Sequence, residues 1–487
     1  MSVERSHHPL LRPGSNCWRV ERANRASLLA DGAAYFHAMY AAMKNARRSI
    51  LLLGWDFDPR APFEPAPGQA EPSERFCDLM ERLIAREPHL QVHILVWDMP
   101  VMYTVQRRTG PQEAEQWLPK ERVHYRLDSN HPAGAAHHQK ILVIDDGVAF
   151  CGGSDFSRNR WDTPEHLPGD RRRRTRDNRI YGPRHDVVLA VDGPAAASLA
   201  DLVRERWRRA TGQSLRASAA ARDPWPRHLV PDMTSVQVGV TRTEPAWAGL
   251  PAVGEIEALY LDAIAAARRW IYLENQYFTS AKIGDALARR LAEPDGPEIV
   301  VTCAARSGGL FDRLVMDHAR NHLVHRLQLA DSHGHFRAFV ALAAGDVPII
   351  VHSKVMIVDD RLLRVGSANL NNRSLGLDTE CDLAIEVQFD DERGREGVRW
   401  LLDRLVTEHL ARRRGEVKAA LERTGSLLAS VDALNSSAGR RLAPLFIDQL
   451  GLTDRLMGEV HLFDPAGAAD NWRPWKRNSQ LSRGQGP

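Results

Sequence analysis

The stretch HQKILVIDDGVAFCGGSD, residues 138–155, returns as HSKVMIVDDRLLRVGSAN at residues 352–369. Each copy sets Lys two residues after His, Asp seven after, Gly fourteen after, and Asp or Asn seventeen after. Residues i and i+2 of a β-strand share a face. The spacing therefore predicts His138 beside Lys140 and His352 beside Lys354, with the apolar runs ILVI and VMIV as buried strand. The chain holds only 7 lysines, and two of them fall at these matched positions. Where basicity alone is wanted the sequence uses Arg, so coincidence explains the pattern poorly. Two such strands brought together make one cationic pocket with two proton-transfer groups, which is equipment for phosphoryl chemistry.

A phosphodiester is an anion with poor leaving groups. Cleaving it takes a nucleophile, a proton for the departing oxygen and fixed positive charge around phosphorus. The two histidines can divide the first two tasks and the two lysines supply the third. His137 precedes His138, but only His138 has Lys at +2 and Asp at +7, so His137 is read as a neighbour. A catalytic imidazole also needs its second nitrogen held, usually by a carboxylate. Aligning DVVLAV (186–191) with ECDLAI (380–385) sets Asp186 opposite Glu380, one orienting carboxylate for each half. Asp145 and Asp359, at the far end of the motif strands, are read as braces of a turn. Gly152, Gly153, Gly366 and Ser367 are read as permitting a tight turn under the pocket. Asp155 and Asn369 are expected to hold that turn, and Asn369 has an amide to offer a phosphoryl oxygen.

The repetition extends beyond the motifs. AYFHAMYAAMKNARRSILLLGWDF and EALYLDAIAAARRWIYLENQYF both read as helix, Arg-Arg stop and strand. VHILVWD (92–98) and EIVVTCAA (298–305) read as second strands, and a helix follows each LAV or LAI segment. The order helix, strand, helix, strand, motif strand, strand, helix thus occurs twice. The expectation is an α/β protein with two lobes, each a mixed sheet flanked by helices, at residues 1–225 and 226–414. DPWPRHLVPD (223–232) is the expected linker, and residues 415–487 a helical appendix with a polar tail. The halves differ in one place. From Asp155 to Asp186 is 31 residues, against 11 from Asn369 to Glu380, and the surplus includes DRRRRTRDNR (170–179). That run is either a solvated basic loop or a rim for an anionic interface.

Composition is globular, 43% hydrophobic and 26% charged, with net charge +3 and no global polybasic character. Five scattered cysteines form no CxxC pair, as suits a reducing compartment or a chain without disulfides. No signal peptide and no apolar run of transmembrane length are seen. The expected location is cytoplasmic or peripheral on a membrane. No HExxH, two-metal carboxylate cluster, P-loop or dinucleotide fingerprint occurs, and lysines beside both histidines repel a cation.

On the paired His-x-Lys-x4-Asp segments with their GGSD and GSAN extensions, the chain resembles the phospholipase D superfamily. YLENQYF (272–278), GWDFDP (54–59) and RHDVVLAVDGP (184–194) are similar to segments of the phosphatidylcholine-type phospholipases D. The resemblance covers about residues 30–410. It implies a two-lobed monomer with one active site at the lobe interface, a covalent phosphohistidine, no cofactor and no catalytic metal. It implies His138 as nucleophile and His352 as the acid that protonates the leaving alcohol. Water or another alcohol then resolves the intermediate, giving hydrolysis or transphosphatidylation. Gly153 and Asp155 stand where the pattern more often has Ser and Asn. The expected substrate is a phospholipid met by peripheral contact with an anionic membrane. The alternatives are a cardiolipin synthase-type phosphatidyl transferase and, less favoured, a phosphodiesterase acting on nucleic acid.

Overall fold

The computed structural model describes residues 9–65, 73–99, 114–175, 177–218, 222–306, 316–451, 464–465 and 467. It begins with β1 (Arg19–Ala30), α1 (Asp31–Lys44), β2 (Ser49–Gly54), α2 (Phe76–Arg86), β3 (Gln91–Trp97) and β4 (Val123–Asp128). The first motif then forms a hairpin, β5 (Ile141–Ile144) and β6 (Val148–Gly152). Next come β7 (Arg184–His185), β8 (Val187–Asp192) and α3 (Gly193–Thr211). The same succession follows. It runs β9 (Met233–Glu244), β10 (Val253–Gly254), α4 (Glu255–Ala266), β11 (Trp270–Asn275), α5 (Ala281–Leu291), β12 (Glu298–Cys303), α6 (His318–Ala330) and β13 (Phe336–Leu342). It closes with β14 (Ile350–Val351), the hairpin β15 (Lys354–Val358) and β16 (Leu362–Gly366), α7 (Asn372–Gly376), β17 (Glu380–Glu386) and α8 (Glu392–His409). Beyond lie α9 (Glu416–Thr424), α10 (Leu427–Leu434) and β18 (Arg441–Pro444).

Among the described residues one mixed sheet runs β18-β13-β12-β11-β15-β16-β17-β9-β1-β8-β6-β5-β2-β3-β4, with β10 beside β9. Read outward from β1 and β9, β18 apart, the two sides have the same strand order and the same pairing senses, parallel at β2-β3-β4 and β11-β12-β13. The sequence predicts a separate sheet for each half, but the halves share one. The long strands β1 and β9 pair antiparallel from Arg19↔Val240 to Ala26↔Met233 and join them. Inner strands are apolar runs covered on both faces: SILLLG of β2 and KVMIV of β15 are buried throughout. One core cluster, with α3 and α8, spans both halves on one side of the sheet. On the other side α1 and α2 cover the first half, and α4, α5 and α6 the second.

Three further expectations change. The motif strand is a short strand of a hairpin, not an extended span, and Asp145 and Asp146 turn it with φ of 50 each. The segment after residue 414 is not purely helical, because β18 pairs with the edge strand β13. Asp464 also docks onto the second half, accepting from Thr279 Oγ1 at 2.9 Å and from the backbone N–H of Arg373 at 2.8 Å. The remainder of the expected tail lies outside the described residues. No described helix is long and apolar enough to cross a membrane.

Candidate active site

The histidines sit just before their strands, not within them. β5 opens at Ile141 and β15 at Lys354. A connection between the halves fixes each one instead. His138 N–H donates to Thr379 O at 2.9 Å, and His352 N–H donates to His185 O at 2.8 Å. Those acceptors are the residues immediately before Glu380 and Asp186. A parallel bridge His137↔Thr379 and the ladder β7–β14 extend these two contacts. Each histidine is thereby laid against the carboxylate of the other half. His138 Nδ1 lies 2.9 Å from both oxygens of Glu380, and His352 Nδ1 lies 2.9 Å from Asp186 Oδ2. Sequence alignment named one carboxylate per half, and the structure crosses them. Holding Nδ1 leaves the Nε2 edge of each ring for a substrate.

The lysines are held by carbonyls of their own motifs. Lys140 Nζ donates to His138 O at 2.9 Å and lies 3.7 Å from Asp155 Oδ2. Lys354 Nζ donates to His352 O and to Gln276 Oε1. Both are buried, and burial pulls both ammonium groups down in pKa, Lys354 to about 7. His138 and His352 are pushed well below the usual imidazole range, first by burial and then by nearby cations. Lys354 acts on His138 and Lys140 on His352, so the half-sites share one electrostatic environment. Burial lifts the Glu380 carboxyl to about 8.

The supporting residues differ from their expected roles. Asp145 accepts from the backbone N–H groups of Arg47, Arg48 and Ser49, and Asp359 from those of Arg268, Arg269 and Trp270. Each thus caps the chain as it enters the neighbouring strand, away from the histidines. The glycines give room rather than a turn. A Cβ on Gly152 would lie 2.4 Å from Val187 O, and one on Gly153 2.2 Å from Asp186 Oδ1. Ser367 Oγ donates to Glu380 Oε2 at 2.6 Å. Asp155 Oδ1 accepts from Trp55 N–H at 2.9 Å, tying its turn to the end of β2. Asn369 is buried and its Oδ1 has no hydrogen-bond partner. His137 is fully buried, with Nδ1 3.0 Å from Asp128 Oδ2, and remains a neighbour.

Two cations escaped the sequence reading. Arg184 Nη2 lies 3.6 Å from Asp186 Oδ2, and Arg160 Nη2 lies 4.0 Å from Asp155 Oδ2. Both are buried, their Nε atoms lack hydrogen-bond partners, and both act on His352. Their signal was faint: Arg184 opens RHDVV, and Arg160 falls in the insertion ahead of the basic run. Two arginines of that run are engaged by the protein itself, while Arg171 and Arg179 are exposed. Arg173 is fully buried against Asp162 at 2.9 Å, and Arg172 pairs with Asp170 and lies over the Trp161 ring. On the His138 side the wall is aromatic. Trp55 stands 6.1 Å from the His138 ring and stacks on Trp97 at 5.8 Å.

Residues 260–392 match the family model described as cardiolipin synthase, phospholipase D-like domain. Phospholipase D A of Dictyostelium discoideum is 26% identical over 428 residues, covering 73% of this chain and 32% of that protein. Cardiolipin synthase A of Pseudomonas putida is 26% identical over 382 residues, covering 76% of this chain and 66% of that protein. The chain thus spans about a third of the first and about two thirds of the second. The crystal structure of phosphatidylserine synthase from Haemophilus influenzae Rd KW20 has a TM-score of 0.52 at 14% identity, covering 85% of this chain and 96% of that one, which shows the fold alone. Residues 260–392 thus resemble a phospholipase D-like domain, and longer alignments show similarity to phospholipases D and cardiolipin synthases.

Proposed function

We propose that this domain cleaves the phosphodiester of a glycerophospholipid, releasing phosphatidate and the free head group, through a phosphohistidine on His138. The observation that carries the reading is the crossed pair of histidine–carboxylate contacts, both at 2.9 Å, beside two buried lysines. Glu380 holds Nδ1 of His138, so the lone pair at Nε2 attacks phosphorus in line with the departing alkoxide. Lys140 and Lys354, with Arg160 and Arg184, supply positive charge for the non-bridging oxygens as they crowd phosphorus. His352, its Nδ1 held by Asp186, gives its Nε2 proton to the leaving oxygen. The anionic substrate raises the depressed His352 pKa on binding, because an opposite charge favours the protonated ring. His352, now neutral, takes a proton from water, which attacks phosphorus and breaks the P–N bond. His138 is returned and phosphatidate leaves. In these steps Lys140, Lys354, Asp186 and Glu380 act with the histidines. Asp145, Asp359, Gly152, Asp155, Ser367 and Asn369 support the site.

A two-lobed duplicated architecture is part of this reading, supported by a strand order that repeats outward from the β1–β9 junction. The apolar wall of Trp55 and Trp97 suits a lipid glycerol backbone better than a bare head group. Phosphatidyl transfer to an alcohol is the second reading, favoured by the match of residues 260–392 to the cardiolipin synthase description. It uses the same first half-reaction and differs only in the acceptor. The test incubates purified protein with phosphatidylcholine, phosphatidylglycerol or single-stranded DNA, and quenches single turnovers in alkaline detergent, where a phosphohistidine survives, for mapping. Label on His138 with phosphatidate as product supports hydrolysis, and cardiolipin from phosphatidylglycerol supports transfer. Turnover of DNA alone, or of no phosphodiester, refutes the lipid assignment.

A further inference from the structure

Behind the proposed reaction centre lies a second set of ionisable side chains that the chemistry does not use. Asp31 opens α1, His166 lies in the insertion between Asp155 and Asp186, His185 ends β7, and Glu408 lies in the last turn of α8. All four are buried, the histidines completely. One ligand atom from each falls within 4.8 Å of all the others. His166 Nε2 is 3.7 Å from Asp31 Oδ2 and 3.4 Å from Glu408 Oε1. His185 Nδ1 is 3.2 Å from Asp31 Oδ1 and 2.7 Å from Glu408 Oε1. Four ligands placed tetrahedrally at zinc–ligand distances of about 2.0–2.2 Å are about 3.3–3.5 Å apart, and these contacts straddle that spacing.

Two further observations point to an ion rather than to a self-sufficient network. Asp31 Oδ2 and His166 Nε2 have no hydrogen-bond partner, although both residues are sealed from solvent and these atoms face one another. The opposite nitrogen of each histidine is already held by a carboxylate. His166 Nδ1 lies 3.0 Å from Asp162 Oδ2, and His185 Nε2 lies 2.9 Å from Glu274 Oε2. Carboxylates in that position fix the tautomer and direction of metal-ligating imidazoles. Asp31 also keeps a left-handed backbone, φ 66, which is costly for a residue other than glycine.

We propose that Asp31, His166, His185 and Glu408 form a structural zinc site. Two neutral imidazoles and two carboxylates neutralise one divalent zinc in a dry interior. Two nitrogens suit zinc, and so few oxygens do not suit calcium or magnesium. With four protein ligands the site is closed, so the ion takes no part in the reaction. It clips the insertion and α8 of the second half to β7, whose His185 accepts the backbone N–H of His352 and immediately precedes Asp186. The site is single. By the chain's own repeat, Thr379 stands in the second half where His185 stands in the first, and that half lacks the insertion.

The test uses the untagged full-length chain, grown with added zinc and dialysed against metal-free buffer, and does not depend on activity. Elemental analysis is expected to give about one zinc per chain, with an X-ray absorption spectrum fitted by nitrogen and oxygen at about 2.0–2.1 Å and no sulfur. A strong chelator should lower Tm by several degrees, and zinc should restore it. His166→Ala and Asp31→Asn should each lose the metal, while His333→Ala/His335→Ala, at an unrelated His pair, should keep it. Wild-type protein carrying less than about 0.1 zinc per chain, with a Tm indifferent to added zinc, overturns the proposal. So does full zinc retention in both Asp31→Asn and His166→Ala. If either variant fails to fold, the wild-type stoichiometry, spectrum and Tm response decide alone.

Discussion

The two half-sites reach one geometry with different parts. On the His138 side the orienting group is Glu380, and its second support is the Ser367 hydroxyl at 2.6 Å. On the His352 side the group is the shorter Asp186, with Gly153 in place of the serine and the Arg184 guanidinium 3.6 Å away. Burial lifts the first carboxyl to about 8, although Lys140 and the Ser367 hydroxyl favour its charged form, and the second has the Arg184 guanidinium beside it. An ionised Glu380 accepting the Nδ1 proton leaves His138 a neutral ring with its lone pair at Nε2. The other side gathers Arg160, Arg184 and the lysines around His352, where an incoming phosphate brings the charge that protonates the ring. On the proposed reading the two sites divide the roles while keeping the same Nδ1–carboxylate distance of 2.9 Å.

The largest test of that division is removal of the rings. His138→Ala should abolish turnover of every substrate, by at least about 10⁴, and leave no trapped phosphohistidine. His352→Ala should slow a choline ester by about 10²–10⁴. It should recover in part on a nitrophenyl phosphodiester, whose leaving group needs no proton. Label trapped on His352 in the wild type would reverse the roles.

Crossing makes the next prediction counter-intuitive. Glu380→Gln should behave like damage to His138, although Glu380 follows the second motif, and should not be relieved by the better leaving group. Asp186→Asn should behave like damage to His352 and should be relieved. Each is expected to cost about 10²–10⁴ in kcat, the scale seen when a catalytic histidine loses its orienting carboxylate. The readout is the ratio of kcat on choline and nitrophenyl substrates. Equal ratios in the two variants would break the division of labour while leaving the geometry intact.

Burial sets the third. Lys354 has its pKa lowered to about 7, so it is charged below that pH and neutral above it. If its charge grips the phosphate, kcat/KM should fall as pH rises through about 7 in free enzyme. In kcat the same limb should appear at higher pH, since the bound anion favours the ammonium form. Lys354→Arg keeps its charge at all these pH values and should lose the limb, whatever its absolute rate. A limb unchanged in that variant assigns it to another group.

Much of this was legible before any coordinates. Matched spacing identified His138, Lys140, His352 and Lys354 as a set, and matching LAV with LAI found Asp186 and Glu380. What the spacing could not carry was the crossing, which arises from the His138–Thr379 and His352–His185 backbone contacts, each between residues far apart in sequence. Strand β1 was missed because RVERANRASLLA mixes charge into its first half, and pairing with β9 along that half and with β8 along the other makes it a strand. Arg173 belongs to a run read as either a solvated loop or an anion-attracting rim, yet it is fully buried against Asp162. A composition-based reading cannot know that one member of an arginine run has a carboxylate waiting inside.

The smallest expected effect concerns the hydroxyl that separates the half-sites. Ser367 Oγ donates to Glu380 Oε2 and also accepts from Cys381 N–H at 3.0 Å, so it positions the carboxyl without touching a substrate. Ser367→Ala removes both, and losing the bond to Glu380, worth about 1 kcal/mol, is enough for a loss of roughly five-fold in kcat with KM little changed. Losing the donor should also make the Glu380 carboxylate harder to keep, moving its pKa further up from about 8. The reciprocal change cannot supply the missing support on the other side. A Cβ at Gly153 would stand 2.2 Å from Asp186 Oδ1, so Gly153→Ser must push Asp186 away from His352 rather than hold it. Gly153→Ser should therefore impair more than Ser367→Ala, and its defect should be the one relieved by a nitrophenyl leaving group. A Gly153→Ser enzyme as active as wild type would mean that the glycine is drift, and that the asymmetry between the half-sites has no bearing on their roles.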